Sequence, residues 1–150
     1  MNQSKVTIYT DGACKNNPGP GGWAAILIYQ LNNTAKEKII TGSEKYTTNN
    51  RMELLSVINA LNSLKFACNV DVYTDSQYVQ NGITKWLDNW RAKKWRTSSG
   101  TAVKNQDLWE SLELAAKKHN ISWSWVKAHN GDVMNERVDY LARQAILCVK

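Results

Sequence analysis

The chain has 150 residues, a length that suits one domain with a core of its own. Hydrophobic residues make up 43%, which excludes a disordered chain, and 19 Lys and Arg against 13 Asp and Glu leave a net charge of +6, which points to a polyanionic partner. Three scattered cysteines (Cys14, Cys68, Cys148), an N-terminus with no apolar run and a longest apolar stretch of only Trp23–Tyr29 argue against a disulfide framework, a secretory signal and a membrane span. The expectation is a reduced, cytoplasmic protein.

In chain order, Lys5–Thr10 alternates Val6 and Ile8 with Thr7 and Tyr9 and reads as a strand. "DGACKNNPGPGG" is a Gly/Pro/Asn loop. Trp23–Tyr29 and Lys38–Gly42 read as the next two strands, joined by the polar turn "LNNTAKE", as an antiparallel meander. Asn50–Leu64 is a helix with Leu54, Val57, Ile58 and Leu61 on one stripe. Val70–Thr74 is a fourth strand, and helix resumes from Ser76. Lys85–Lys104 holds six basic residues against Asp88 alone, interleaved with Trp86, Trp90 and Trp95. Gln106–Lys118 is a helix, Ser122–Val126 a fifth strand and "KAHNGDVMN" a loop, before an amphipathic last helix marked by Val138, Leu141, Ala142, Ala145 and Ile146. The order β-β-β-α-β-α-α-β-α predicts a single α/β domain over residues 1–150, a mixed sheet with helices on its faces, and a basic protrusion at about 85–104.

Four acidic residues stand out, each with an ordinary structural use. Asp11 and Asp75 each follow a Tyr-Thr pair at a strand's C-terminal end, in "VTIYTDG" and "VDVYTDS". Asp11-Gly12 is also a turn dipeptide, and Asp75 a natural helix cap. Glu53 lies on the shoulder of its helix's apolar stripe, while Asn50 and Glu53 are spaced as a capping box. Asp139 lies near the start of the last helix, where the dipole favours a negative charge. Together they point to chemistry. Sites in open α/β sheets lie at the carboxyl ends of strands, and Asp11 and Asp75 share a parity that adjacent parallel strands would bring to one edge. Converging carboxylates repel, and hard divalent cations such as Mg²⁺ relieve that repulsion. His129, in a loop ahead of Asp139, joins the candidates, whereas His119 reads as a surface residue compensating a helix dipole.

Five motifs in this order, "YTDGACKNNPGPGGWA", "TTNNRMEL", "VYTDSQYV", "WVKAHNG" and "NERVDYLA", resemble the bacterial single-domain type 1 ribonucleases H over roughly Lys5 to Leu147. The resemblance implies a five-stranded mixed sheet of order 3-2-1-4-5 flanked by helices. It implies Asp11, Glu53, Asp75 and Asp139 as metal ligands and His129 as an aid to proton traffic or product release. Asn17, Asn49, Asn50 and Gln77 match residues that contact a hybrid's minor groove, and Gly12 and Cys14 match backbone contact points. Thr48 and Asn105 match a pocket for a DNA phosphate, and Trp86 an aromatic that packs on a DNA sugar. Asp132, Val133 and Met134 ahead of "NER" depart from the family's usual loop.

The activity so implied is hydrolysis of the RNA strand of RNA/DNA hybrids, with two Mg²⁺ ions (Mn²⁺ as a substitute) when substrate is bound, leaving 5′-phosphate and 3′-hydroxyl ends. One ion would rest mainly on Asp11, Asp75 and Asp139, the other on Asp11 and Glu53. Lys93, Lys94, Trp95 and Arg96 in the basic stretch are expected to track the DNA strand. The expected partner is the hybrid alone, bound by a monomer with no membrane and no obligate protein partner. The alternatives are a catalytically silent nucleic-acid-binding domain and another polynucleotidyl transferase of the same fold.

Overall fold

The structure is a computed structural model and describes residues 4–31, 33–127 and 132–149. Three strands open the chain: β1 (Ser4–Cys14), β2 (Gly19–Leu31) and β3 (Thr34–Thr47). Helix α1 (Asn49–Asn62) leads to β4 (Cys68–Thr74). Short helices α2 (Gln77–Asn81) and α3 (Leu87–Ala92) flank a π-helical turn, Gly82–Trp86. Helix α4 (Gln106–Lys117), strand β5 (Asn120–Trp125) and helix α5 (Val133–Ile146) complete the order.

The sheet runs β3-β2-β1-β4-β5. β2 pairs antiparallel with both β1 and β3, while β4 runs parallel to both β1 and β5. The strand order implied by the resemblance holds, and the element order read from the sequence holds except that α2, the π-helical turn and α3 stand where one helix was read. Val6, Ile8, Val70 and Val72 bury one face of the sheet in a cluster with Leu54, Val57 and Leu61 of α1 and Trp109 and Leu112 of α4. Ala24 and Ile26 bury the other face against Val138 and Ala142 of α5. The register sets Tyr9 opposite Tyr73. Their rings stack at 4.8 Å, so the residues two further along, Asp11 and Asp75, leave the same sheet edge side by side.

Several local expectations change. The turn "LNNTAKE" is much shorter than its polarity suggested, since Thr34–Glu37 already pair with β2. β3 is an edge strand, largely exposed, and a strand with little burial carries no alternating pattern to read. Helix α1 starts one residue early and is capped by Thr48, whose hydroxyl accepts the Arg51 N–H at 3.2 Å. Asn50 and Glu53 therefore form no capping box, and Glu53 stands outside the first turn. Ser76, not Asp75, caps α2 by accepting the Val79 N–H at 3.1 Å. Asp132 caps α5 by accepting the Asn135 N–H at 2.8 Å. That start puts Asp139 in the second turn, so the helix dipole does not account for it. His119 is not a free surface residue either: it is half-buried, and its Nδ1 accepts the Cys68 N–H at 3.1 Å.

Candidate active site

Asp11 sits within the last residues of β1, and Asp75 directly follows β4. Glu53 reaches them from α1 because β1 and α1 approach closely at Gly12. A Cβ on Gly12 would lie 2.4 Å from the Glu53 nitrogen, so no other residue fits without moving α1. The Gly12 N–H donates to Asp11 Oδ1 at 2.9 Å and to Glu53 Oε1 at 2.8 Å, fixing two carboxylates with one donor. Ligand oxygens of Asp11, Glu53 and Asp75 lie within 4.8 Å of one another.

This trio is poorly solvated. Asp11 and Glu53 are buried, and Glu53 Oε2 has no hydrogen-bond partner among the described residues. Burial pushes the Asp11 carboxyl up to about 7, with the charges of Asp75 and Asp139 adding to the rise. Burial, and then the Asp11 charge, push Glu53 well above the usual carboxylate range. Full ionisation of such a cluster needs a compensating positive charge. A buried carboxylate oxygen with no donor, facing two further carboxylates, is the donor set of a hard divalent cation. The residues fit that group.

Asp139 approaches from α5 and bears on Asp11, but stands outside the tight trio; its carboxylate pairs with Arg143 one turn on, at 2.9 Å. His129 lies outside the described residues. Asn135, which sequence reading missed, is buried in the first turn of α5 and donates through Nδ2 to Asp75 Oδ2 at 3.4 Å. The two residues are 60 positions apart, so no local spacing announces the contact.

The remaining candidates fall around this centre. Asn17, Thr48, Asn50 and Asn105 line one cleft with Lys104, about 340 Å³ in volume. Asn17 Oδ1 accepts the Asn49 N–H at 2.9 Å, which ties the loop after β1 to the start of α1. Gln77 lines a second cleft, about 620 Å³, with Asp75, Gln80, Trp125 and Lys127. The Cys14 thiol is turned to the Thr47 carbonyl at 3.4 Å. Trp86 packs on Tyr78 and Trp90, and Trp90 in turn on Trp95 and Trp109. The tryptophans of the basic stretch thus form one aromatic block joined to the core, and Trp95 is half-buried in it. Lys93, Lys94 and Arg96 stay exposed beyond that block.

Comparison with known proteins identifies the family and the fold. The RNase H family model matches residues 3–147. A ribonuclease H of Hahella chejuensis is 60% identical over 141 residues, 94% of this chain and 93% of that protein. One from Francisella tularensis subsp. novicida is 54% identical over 144 residues, 96% of this chain and 92% of its own length. Among solved structures, LC9-RNase H1, a type 1 RNase H with the type 2 active-site motif, superposes with a TM-score of 0.89 at 32% identity, over 99% of this chain and 74% of that one. LC11-RNase H1, solved in complex with an RNA/DNA hybrid, shares the fold at 23% identity, with a TM-score of 0.67 over 95% of this chain and 97% of that one.

Proposed function

This chain belongs to the ribonuclease H family, endoribonucleases acting on the RNA of RNA/DNA hybrids, and we propose for it a divalent-metal-dependent reaction at Asp11, Glu53, Asp75 and Asp139. The observation that carries the reading is the buried, undonated Oε2 of Glu53 beside Asp11 and Asp75. Asp11, Asp75 and Asp139 would hold one cation, and Asp11 with Glu53 a second. Bound there, the cations supply an acidified attacking water and positive charge at the leaving 3′-oxygen. Gly12 keeps Asp11 and Glu53 aimed at a common point, and Asn135 restrains Asp75. His129 would move a proton or help product leave. Mg²⁺ is the cation of choice, with Mn²⁺ able to replace it.

The surrounding groups suit a hybrid. Asn17, Asn49, Asn50 and Gln77 would meet the minor groove, where side-chain amides can read the RNA 2′-hydroxyls. Gly12 and Cys14 would contact the strands beside them, and Trp86 would pack on a deoxyribose. The cleft around Thr48 and Asn105 is rich in hydrogen-bond donors. Asn17 Oδ1 already accepts the Asn49 N–H, Asn105 Oδ1 accepts from Arg51, and Thr48 Oγ accepts the Arg51 N–H. Those side chains also offer N–H and O–H groups, beside the Lys104 ammonium, which suits a phosphate pocket. None of these contacts requires a base code, so cutting should have weak sequence preference.

The basic stretch gives the experiment for the binding face. Arg91 is tied to Asp88 and Glu113, whereas Lys93, Lys94 and Arg96 are exposed and in no ion pair among the described residues. Each phosphate contact steepens the log–log salt dependence of binding by roughly 0.7–0.9. Neutralising Lys93, Lys94 and Arg96 together is expected to weaken hybrid binding mainly at low salt and to flatten the slope by up to about two, the full amount if all three touch phosphate. Turnover at saturating substrate should hold, since the carboxylates lie elsewhere. Binding measured across a salt series decides it, and an unchanged slope and affinity would return this stretch to ordinary surface.

A further inference from the structure

Asn105 occupies the N-cap of α4, yet its side chain makes no capping bond, and its backbone is left-handed at φ 62° and ψ 26°. An N-cap Asn ordinarily has extended backbone and turns its carbonyl oxygen to the N–H groups of its own helix. Here that oxygen is drawn away to Arg51, whose Nη1 lies 3.1 Å from it. The Arg51 guanidinium is itself clamped by Asp107, at 3.1 and 2.9 Å. A guanidinium only donates, so the amide orientation is set: Oδ1 faces Arg51 and Nδ2 faces the other way. Nδ2 then donates to the Tyr78 hydroxyl at 3.1 Å. That hydroxyl also accepts the Trp109 indole N–H at 2.9 Å, and Trp109 is fully buried. Asn105 is thereby tied on one side to α1 and on the other to the aromatic block and the core.

We propose that Tyr78 and Arg51 are positioning residues for the DNA strand: they hold the Asn105 amide with its second N–H presented to a backbone phosphate in the cleft shared with Thr48 and Lys104. The inference rests on reading that cleft as a phosphate pocket. It adds why a helix-capping residue is diverted from its own helix, and it links the grip on the DNA strand to the packing of Tyr78 against Trp86 and Trp109. Neither Tyr78 nor Arg51 touches substrate in this account. Each acts through Asn105, so losing either should weaken substrate capture and leave chemistry at the carboxylates intact.

The test uses Tyr78→Phe, which keeps the ring and removes the hydroxyl, with Arg51→Lys as an independent second variant that leaves Trp109 its partner. Hybrids are prepared with a single uncharged methylphosphonate at successive linkages of the DNA strand, and KM and kcat are measured in Mg²⁺. On the ordinary hybrid, each variant is expected to raise KM by about three- to tenfold, the scale of one lost hydrogen bond, with kcat within about twofold. One methylphosphonate position should raise the KM of the unmodified protein, and on that substrate Tyr78→Phe and Arg51→Lys should add almost nothing. If both variants raise KM equally on every substrate, that position included, or leave KM unchanged, the positioning role is overturned. If no methylphosphonate position affects the unmodified protein, the phosphate pocket itself is wrong and the proposal falls with it. A fall in kcat without a change in KM would place the two residues in general structural support and also overturn it.

Discussion

Replacing Glu53 by Gln is expected to remove most cleavage, by roughly 10²–10³-fold, on the scale of losing one charge-stabilising group from an active site. Gln keeps the carbonyl oxygen that accepts the Gly12 N–H, so the contact between β1 and α1 survives. What it loses is the charge and the acceptor at Oε2, the atom that has no protein donor. Helix α1 should be indifferent, because Thr48 caps it and Glu53 lies past its first turn. The same loss is expected for Asp11→Asn and Asp75→Asn. His129→Ala should be milder, since it removes no metal ligand. Steady-state cleavage of a labelled hybrid in Mg²⁺, with circular dichroism as the check on folding, measures this. Full turnover by Glu53→Gln would return that residue to a purely structural role.

Asp11→Asn should also make the metal-free protein more stable, increasingly so as pH rises. The Asp11 carboxyl is raised from 3.8 to about 7 in the folded state, so folding favours its protonated form. Its stabilising contribution is complete below pH 3.8 and is lost as pH climbs through about 7. Asn bears no such charge and does not lose it. Between pH 5 and pH 8 in a chelator, the variant should therefore gain on the unmodified protein by on the order of 2 kcal/mol, or roughly 4–8 °C in Tm at this chain length. Mg²⁺ should narrow that gap at pH 8, because the ionised cluster binds it and the variant has lost a ligand. Thermal melts at both pH values, with and without Mg²⁺, read this out, and a gap that shrinks with pH in the chelator would contradict the crowding argument.

How far the sequence carries can be judged residue by residue. The shared parity of Asp11 and Asp75 after two alternating strands was legible because both strands bury a face, and burial writes a period of two. The apolar stripes of α1 and α5 were legible for the same reason. β3 hid its true length because exposed residues on an edge need no pattern. The capping of α1 and α2 was misplaced by a residue or two, since Thr48, Asn50, Asp75 and Ser76 are all competent caps and only the tertiary entry angle selects among them. Asn135, Tyr78 and Arg51 left no local trace. Their bonds span 60, 27 and 54 positions, and hydrogen bonds across such distances follow from topology alone. A role for Glu53 beyond its own helix was therefore open in the sequence, while the burial that makes its charge costly without a compensating cation became visible only in the fold.

The proposed reaction is a metal-dependent cut confined to the RNA of a hybrid. The most direct test is one assay in which a labelled RNA/DNA hybrid, duplex DNA, duplex RNA and single-stranded RNA are each incubated with the protein in Mg²⁺ and in a chelator, and the product ends are identified. The expected result is internal cleavage of the hybrid's RNA strand only, in Mg²⁺ only, leaving 5′-phosphate and 3′-hydroxyl ends. Equal cutting of duplex RNA, undiminished cutting in the chelator, or cyclic-phosphate ends would contradict it.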